Sequence, residues 1–243
     1  MISLFVLPLS AEKQSSKTDF MSGKYGIFLH YLSNGVNSDE DWQTNVKSCD
    51  TEKIATAAEN AGASWVTLTL TQSDGRYCIP IGTIFKDSNI AGFTGVGSAV
   101  GVEESDDLVN RLYTALDAKG IKLMLYWIPG APANNDAMAS AIGATEKIGN
   151  DWKLNETVIT NVSAAMKKVS DYYGNKISGW WIDGCYDSIG FTNDVAVKYS
   201  SSLKSGNSQA VVAFNNGTKY DDCRFESEDY SAGEICHPNT IST

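Results

Sequence analysis

The stretch Ile177-Ser-Gly-Trp-Trp-Ile-Asp-Gly-Cys-Tyr186 decides how the rest of the chain is interpreted. Its first six residues carry no charge, which is typical of a short strand covered on both faces. Asp183 follows directly, so we expect its carboxylate at the carboxyl end of the strand, where α/β sheets and (β/α)8 barrels carry out chemistry. An aspartate here can also cap a following helix. The local pattern leaves both interpretations open.

Two adjacent tryptophans lie in this predicted strand. Side chains alternate along a strand, so Trp180 and Trp181 are expected on opposite faces. One of them can pack in the core while the other forms the wall of a pocket. Gly184 allows a sharp turn after Asp183, and Cys185 is expected to be a small packing residue.

Composition excludes several classes of function. The chain has 243 residues, of which 42% are hydrophobic, and its formal net charge is −10. The negative charge argues against nucleic acid and anionic membranes as partners, since both require basic patches. With two histidines and no C-x-x-C pair, we expect no metal site and no cofactor. Composition does not determine the oligomeric state.

The N-terminus differs in character from the remainder. Residues 1–20 are predicted to be a lead or a remnant signal segment, because residues 2–9 are apolar but no basic residue precedes them. Residues 21–243 are predicted to form one domain. A secreted or periplasmic protein is expected, and Cys223 and Cys236 are close enough to form a disulfide in an oxidising compartment.

Apolar runs alternate with amphipathic segments along the chain. Helix patterns occupy residues 50–62, 105–119 (capped at Ser105), 154–173 and 193–203, whereas residues 33–50, 72–104 and 131–153 are predicted to be loops, the last partly helical. Strands are predicted at residues 25–32, 63–71, 121–127, 177–183 and 209–215, with a weaker sixth at 228–234. This alternation predicts an α/β fold with a parallel sheet: an incomplete (β/α)8-type barrel with about six recognisable βα units.

Residues that follow parallel strands meet at one mouth of the sheet. Here these residues are aromatic, amide and acidic, with one imidazole, a set that suits a sugar: aromatic rings stack on its C–H faces and polar groups bond its hydroxyls. The predicted substrate-binding residues are His30, Gln72, Asp74, Tyr126, Trp127, Trp181 and Asn215. His30 can instead be a structural histidine, and Trp127 is expected to lie partly in the core.

Cleavage of a glycosidic bond requires two carboxyl groups. Asp183 fits the nucleophile. Glu234 or Glu228 fits the acid/base, because both follow a later predicted strand, and the less polar surroundings of Glu234 favour it. Each glutamate taken alone can also be a solvated surface residue.

Four motifs together resemble the α-L-fucosidase-like glycoside hydrolases. Residues 25–31 are similar to the family's F-G-I-F-x-H-W, and residues 180–184 to its W-x-D-G nucleophile strand. Residues 120–126 are similar to its G-(I/L)-K-x-G-x-Y strand, and residues 228–234 to its D-Y-x-T-P-E segment. The similarity spans residues 21–238. It implies a barrel fold and a retaining exo-glycosidase with Asp183 as nucleophile.

The chain departs from the family pattern at two strand ends. Residues 72–76 read Gln-Ser-Asp-Gly-Arg where the family has H-H-D-G-F, and Asn215-Asn216-Gly217 replaces N-D-R-W. The family's acid/base varies in position, so it can be Glu234 or lie beyond Thr243. The alternative interpretation is an inactive carbohydrate-binding protein derived from the same fold.

Overall fold

The computed structural model describes residues 16–33, 35–218 and 223–232. Most of the predicted lead lies outside these ranges, as do Glu234, the predicted acid/base, and Cys236, one partner of the predicted disulfide. No described helix has the length and apolarity required to cross a bilayer.

A five-stranded parallel sheet forms the centre of the molecule, in the order β1-β2-β3-β6-β7. A separate antiparallel hairpin, β4–β5, lies between β3 and β6 along the chain. The strands are β1 Gly26–Leu29, β2 Trp65–Thr69, β3 Lys122–Trp127, β4 Lys147–Ile148, β5 Asp151–Trp152, β6 Gly179–Asp183 and β7 Val211–Asn215. The prediction of an α/β fold with a parallel sheet is therefore confirmed. Within the described ranges, the edge strands β1 and β7 do not pair with each other.

Seven α-helices accompany the strands in the described residues. They are α1 Asp39–Ser48, α2 Thr51–Ala61, α3 Ile81–Ile84, α4 Leu108–Asp117, α5 Asp136–Ile142, α6 Glu156–Tyr173 and α7 Asn193–Leu203. The prediction that residues 33–50 form a loop is wrong, because α1 lies there. That helix buries only Trp42 and Val46, too short an apolar stripe to stand out in the sequence, and the Ser38 side chain caps it.

The start of α4 also differs from the prediction. The Asp107 side chain, rather than Ser105, accepts the bond from the Asn110 backbone N–H that caps this helix. Asp107 is buried, and the Tyr173 hydroxyl donates to its carboxylate at 3.0 Å. Residues 104–106 form a short 3₁₀ turn instead, so the acidic run that suggested an earlier start precedes the α-helix.

No strand forms in residues 228–232, the described part of the predicted sixth strand. Instead, two carboxylates bind the free edge of β7: Glu228 accepts from the Phe214 N–H at 2.9 Å and Asp229 accepts from the Val212 N–H at 2.9 Å. The Asp229 N–H in turn donates to the Val212 carbonyl at 2.8 Å. Side-chain oxygens thus satisfy edge groups that another strand would otherwise pair.

The two faces of the sheet have different surroundings. The outer-face side chains belong to one apolar cluster with the helices; they include Leu123, Leu125, Trp127, Trp180, Ile182, Val212 and Phe214. The inner-face side chains of the same strands lie outside that cluster although several are buried; they include Met124, Tyr126, Val211 and Ala213. The alternation expected for Trp180 and Trp181 is confirmed, since Trp180 is 1% exposed and Trp181 is half-buried on the opposite face.

Candidate active site

Strand β6 ends at Asp183, beside the last residue of β7. The register pairs Asp183 with Asn215 and Trp181 with Tyr126, so groups from three neighbouring strands meet at the carboxyl end. Gly184 turns the chain with φ of 81°, a conformation that glycine adopts without strain. Asp183 does not cap a helix, because α7 begins after Thr192.

Three donors hold the Asp183 carboxylate. Oδ1 accepts from the Asn215 side-chain amide at 2.6 Å and from the Gly184 backbone N–H at 2.9 Å. Oδ2 accepts from the Tyr126 hydroxyl at 2.8 Å. The carboxylate therefore has a fixed orientation, and Oδ2 has fewer described donors than Oδ1.

The Tyr126 hydroxyl is the donor in its hydrogen bond to Asp183. Burial raises the pKa of this hydroxyl well above the usual tyrosine range, and the nearby charge of Asp183 raises it further. The Gln72 amide donates to the Tyr126 oxygen at 3.4 Å, which extends the hydrogen-bonded chain to the end of β2. The hydroxyl remains protonated and directed at the Asp183 carboxylate.

A cavity of about 180 Å³ opens over Asp183, and we call it the central cavity. Its lining includes Gln72, Ser73, Tyr126, Pro129, Asp151, Trp152, Asp183 and Tyr186. Asp151, an exposed residue of the β4–β5 hairpin, is a second acidic residue in the lining of this cavity. Asp151 and Trp152 were not predicted from the sequence, although they form an acid–aromatic pair near the end of the long segment after β3.

An aromatic cluster occupies the inner face next to Tyr126. His30 is exposed and stacks on Phe28 with ring centroids 4.6 Å apart, and it meets Tyr126 edge-on at 5.9 Å. Phe28 also contacts Trp181 edge-on at 5.3 Å. The structure thus groups the predicted residues His30, Tyr126 and Trp181, with Phe28 between them.

Two predicted binding residues lie elsewhere. Asp74 accepts from Arg76 at 3.1 Å and from Ser33, and it lines a separate pocket of about 80 Å³ that shares Gln72 and Ser73 with the central cavity. Trp127 is 1% exposed on the outer face, where its indole N–H donates to the Tyr77 hydroxyl at 3.2 Å. Neither side chain lines the central cavity.

Glu228 also lies away from the central cavity. Its two carboxylate oxygens accept from the backbone N–H groups of Phe214 and Phe225, at 2.9 and 2.8 Å. Burial raises the pKa of Glu228 in spite of these donors. The contacts give this glutamate a structural role at the edge of β7. No group of three or more histidine, cysteine or acidic side chains suited to a metal ion occurs in the described ranges.

Comparison with solved structures identifies similar folds. The chain matches the endo-fucoidan hydrolase MfFcnA4 from glycoside hydrolase family 107 with a TM-score of 0.59 and 16% identity, over 84% of this chain and 34% of that one. It matches the unliganded α-L-fucosidase AlfC from Lactobacillus casei with a TM-score of 0.53 and 13% identity, over 83% of this chain and 72% of that one. An α-L-fucosidase of family GH29 from Bacteroides thetaiotaomicron matches with a TM-score of 0.52 and 15% identity, over 86% of this chain and 49% of that one.

Comparison of the sequence alone finds no matching family model and no matching curated protein. The chain spans about a third of the length of MfFcnA4. At these identities the likeness concerns the fold. The described residues thus have the parallel α/β fold found in fucose-processing glycoside hydrolases.

Proposed function

We propose that the protein is a retaining exo-glycoside hydrolase of the α-L-fucosidase type, with Asp183 as its nucleophile. The observation that carries this proposal is the fixed carboxylate of Asp183, held by three donors beneath a cavity at the carboxyl end of a parallel sheet. The fold likeness to fucose-processing hydrolases and the family-like W-x-D-G motif support the same assignment.

The distribution of donors favours one attacking oxygen. Oδ1 of Asp183 already accepts two hydrogen bonds, whereas Oδ2 accepts one from Tyr126. We assign the attack on the anomeric carbon to Oδ2, which keeps a lone pair for the glycosyl–enzyme bond. As this bond forms, the glycosidic bond breaks and the acid/base protonates the departing oxygen. Water, which gives a proton to the same group, then hydrolyses the glycosyl–enzyme bond, and the sugar leaves with its original anomeric configuration.

The sugar to be cleaved would lie against the inner-face aromatic cluster. His30 and Trp181 offer ring faces for its C–H groups, and Gln72 offers a polar contact near Asp183. Tyr126 and Asn215 are each 1% exposed and act by holding the Asp183 carboxylate. We propose that the sheet is part of a (β/α)8-type barrel, in which this inner face becomes the interior. The expected sugar is α-L-fucose, and no cofactor takes part.

Two carboxyl groups compete for the acid/base role. Glu234 is the residue that its less polar surroundings in the sequence favour, and Asp151 is the second acidic residue in the lining of the central cavity. In a retaining enzyme the catalytic pair is separated by about 5–5.5 Å. We propose Glu234, and the comparison with Asp151 forms part of the test.

The test measures hydrolysis of a panel of aryl glycosides, including aryl α-L-fucoside, by the wild type and by Asp183→Gly. The variant should lose at least about 10⁴-fold in kcat. Added azide should restore turnover and give a glycosyl azide of inverted configuration. Full activity in the variant would contradict the nucleophile assignment.

The acid/base is identified with Glu234→Gly and Asp151→Gly. The variant that lacks the acid/base should lose about 10²–10⁴-fold with a poor leaving group but little with dinitrophenolate. Azide should then give a product of retained configuration from that variant alone.

A carbohydrate-binding protein without activity is the second candidate, because Gln72 and Ser73 stand where the family has two histidines. Saturable binding of fucosides by the wild type, with no turnover of any substrate in the panel, would favour this candidate. Turnover that depends on Asp183 would exclude it.

A further inference from the structure

The β4–β5 hairpin contributes part of the wall of the central cavity. Trp152 is half-buried and lines the cavity together with Asp183. His30 and Trp181 do not line that cavity and lie on the inner face instead. Tyr126 belongs to both regions, because its ring contacts His30 and its hydroxyl bonds Asp183.

Several contacts fix the ring of Trp152. Its indole N–H donates to the Pro132 carbonyl at 3.1 Å, and the Lys147 ammonium lies 4.4 Å from the ring centroid. Lys147 is itself anchored by Asp136 at 2.9 Å and by the Ala133 carbonyl at 3.2 Å. A ring held in this way is a preorganised surface, so a ligand stacking on it loses little side-chain freedom.

The ends of the hairpin are tied to the rest of the site. The Lys153 N–H donates to the Glu146 carbonyl at 2.9 Å, which closes the hairpin, and the Leu154 N–H donates to the Ile189 carbonyl at 2.8 Å. Ile189 follows the turn after β6 and also lines the central cavity. The position of Trp152 is therefore coupled to the segment that carries Asp183.

We propose that Trp152 forms the subsite for the sugar on the leaving-group side of the bond that is cleaved. This inference rests on the proposed function, which places the fucosyl unit against His30 and Trp181. The anomeric carbon then lies at Asp183, and the next unit extends into the central cavity. The ligand class is a saccharide leaving group with an apolar pyranose face, which stacks on the indole.

The experiment compares a leaving group that reaches Trp152 with one that cannot. The substrates are an α-L-fucosyl disaccharide and α-L-fucosyl fluoride, whose fluoride ion is too small to contact the hairpin. Trp152→Ala should lower kcat/KM for the disaccharide about tenfold or more, mainly by raising KM. The same variant should change kcat/KM for the fluoride by less than about twofold. Trp152→Phe should recover most of the loss. Lys147→Met, which keeps the aliphatic stem, should give a smaller loss with the disaccharide only.

Equal losses with both substrates in Trp152→Ala would overturn the subsite, because they would indicate a structural role for the ring. An unchanged disaccharide rate would overturn it as well. If the wild type hydrolyses neither substrate, the proposed function fails, and calorimetric titration with the disaccharide then tests the subsite alone. Binding by the wild type that weakens about tenfold in Trp152→Ala supports it, and equal or absent binding contradicts it.

Discussion

Trp180 and Trp181 are neighbours in β6, yet they lie in two different environments. Trp180 is packed among the helices on the outer face, whereas Trp181 is half-buried on the inner face beside Phe28. The outer face consists of aliphatic and aromatic side chains in one continuous cluster. The inner face combines aromatic rings with threonine, amide and carboxylate groups. The comparison indicates that stability depends mainly on the outer face, whereas the proposed function assigns the chemistry to the inner face.

The largest expected effect concerns the inner face. Asp183→Asn should reduce kcat with an aryl fucoside by at least about 10⁴-fold, because an amide is a poor nucleophile. The variant keeps the size of the side chain, but its amide nitrogen cannot accept the bond from the buried Tyr126 hydroxyl, so the unfolding free energy should fall by about 1–3 kcal/mol. Steady-state kinetics and urea denaturation of the same preparation provide the two values. A stability loss as large as the one expected for Trp180→Ala would contradict the different roles assigned to the two faces.

The matched pair Trp180→Ala and Trp181→Ala tests the comparison within one strand. Trp180→Ala should destabilise by about 3–5 kcal/mol, since it opens a cavity in the outer cluster. Trp181→Ala should cost about 1 kcal/mol but weaken binding of fucose or an iminosugar inhibitor, because its ring belongs to the aromatic cluster. Denaturation and calorimetric titration measure the two effects. Equal stability losses would contradict the assignment of roles.

A smaller effect is expected at Thr69, an inner-face residue that is fully buried. Its hydroxyl donates to the Leu29 carbonyl at 3.1 Å and ties β2 to β1. Thr69→Val should cost about 1 kcal/mol, the net value of one such hydrogen bond. Activity should be retained, because the residue does not line the central cavity. A loss of activity with stability unchanged would assign this threonine to the chemistry.

The smallest expected effect is a change in the alkaline stability profile. The pKa of Tyr126 is raised in the folded state, so above about pH 10 the unfolded chain loses this proton while the native protein keeps it. The unfolding free energy should therefore fall as the pH rises. Tyr126→Phe should make that fall shallower, by at most about 1.4 kcal/mol per pH unit. Urea denaturation between about pH 9 and 11, the range on either side of the pKa of an ordinary tyrosine, measures the slope. An identical slope in the variant would contradict the raised pKa.

The regular part of the fold could be predicted because its signals are local. Helix α2 has both a capping aspartate, Asp50, and a left-handed glycine, Gly62, and α7 occupies the predicted residues 193–203. Each sheet strand was found from its apolar run. Helix α1 was missed because it has a short apolar stripe, and the hairpin because two-residue strands have no periodicity.

The site could be predicted where it depends on strand ends and not where it depends on distant partners. Asp183, Tyr126 and Asn215 were identified correctly as neighbours, since parallel strands place their carboxyl ends together. Asp74 accepts a hydrogen bond from Ser33, 41 residues away in the sequence, and Glu228 binds the β7 backbone. Those contacts arise from packing between segments, which no local pattern in the sequence specifies.

The most direct test of the central claim is to trap the covalent intermediate with 2-deoxy-2-fluoro-α-L-fucosyl fluoride. The fluorine at carbon 2 slows hydrolysis of the glycosyl–enzyme, so the labelled residue can be located by peptide mass spectrometry. We predict one fluorofucosyl group per chain, attached to Asp183 and removed when the enzyme turns over. A label on another residue, or hydrolysis of aryl fucosides that continues in Asp183→Asn, would contradict the account.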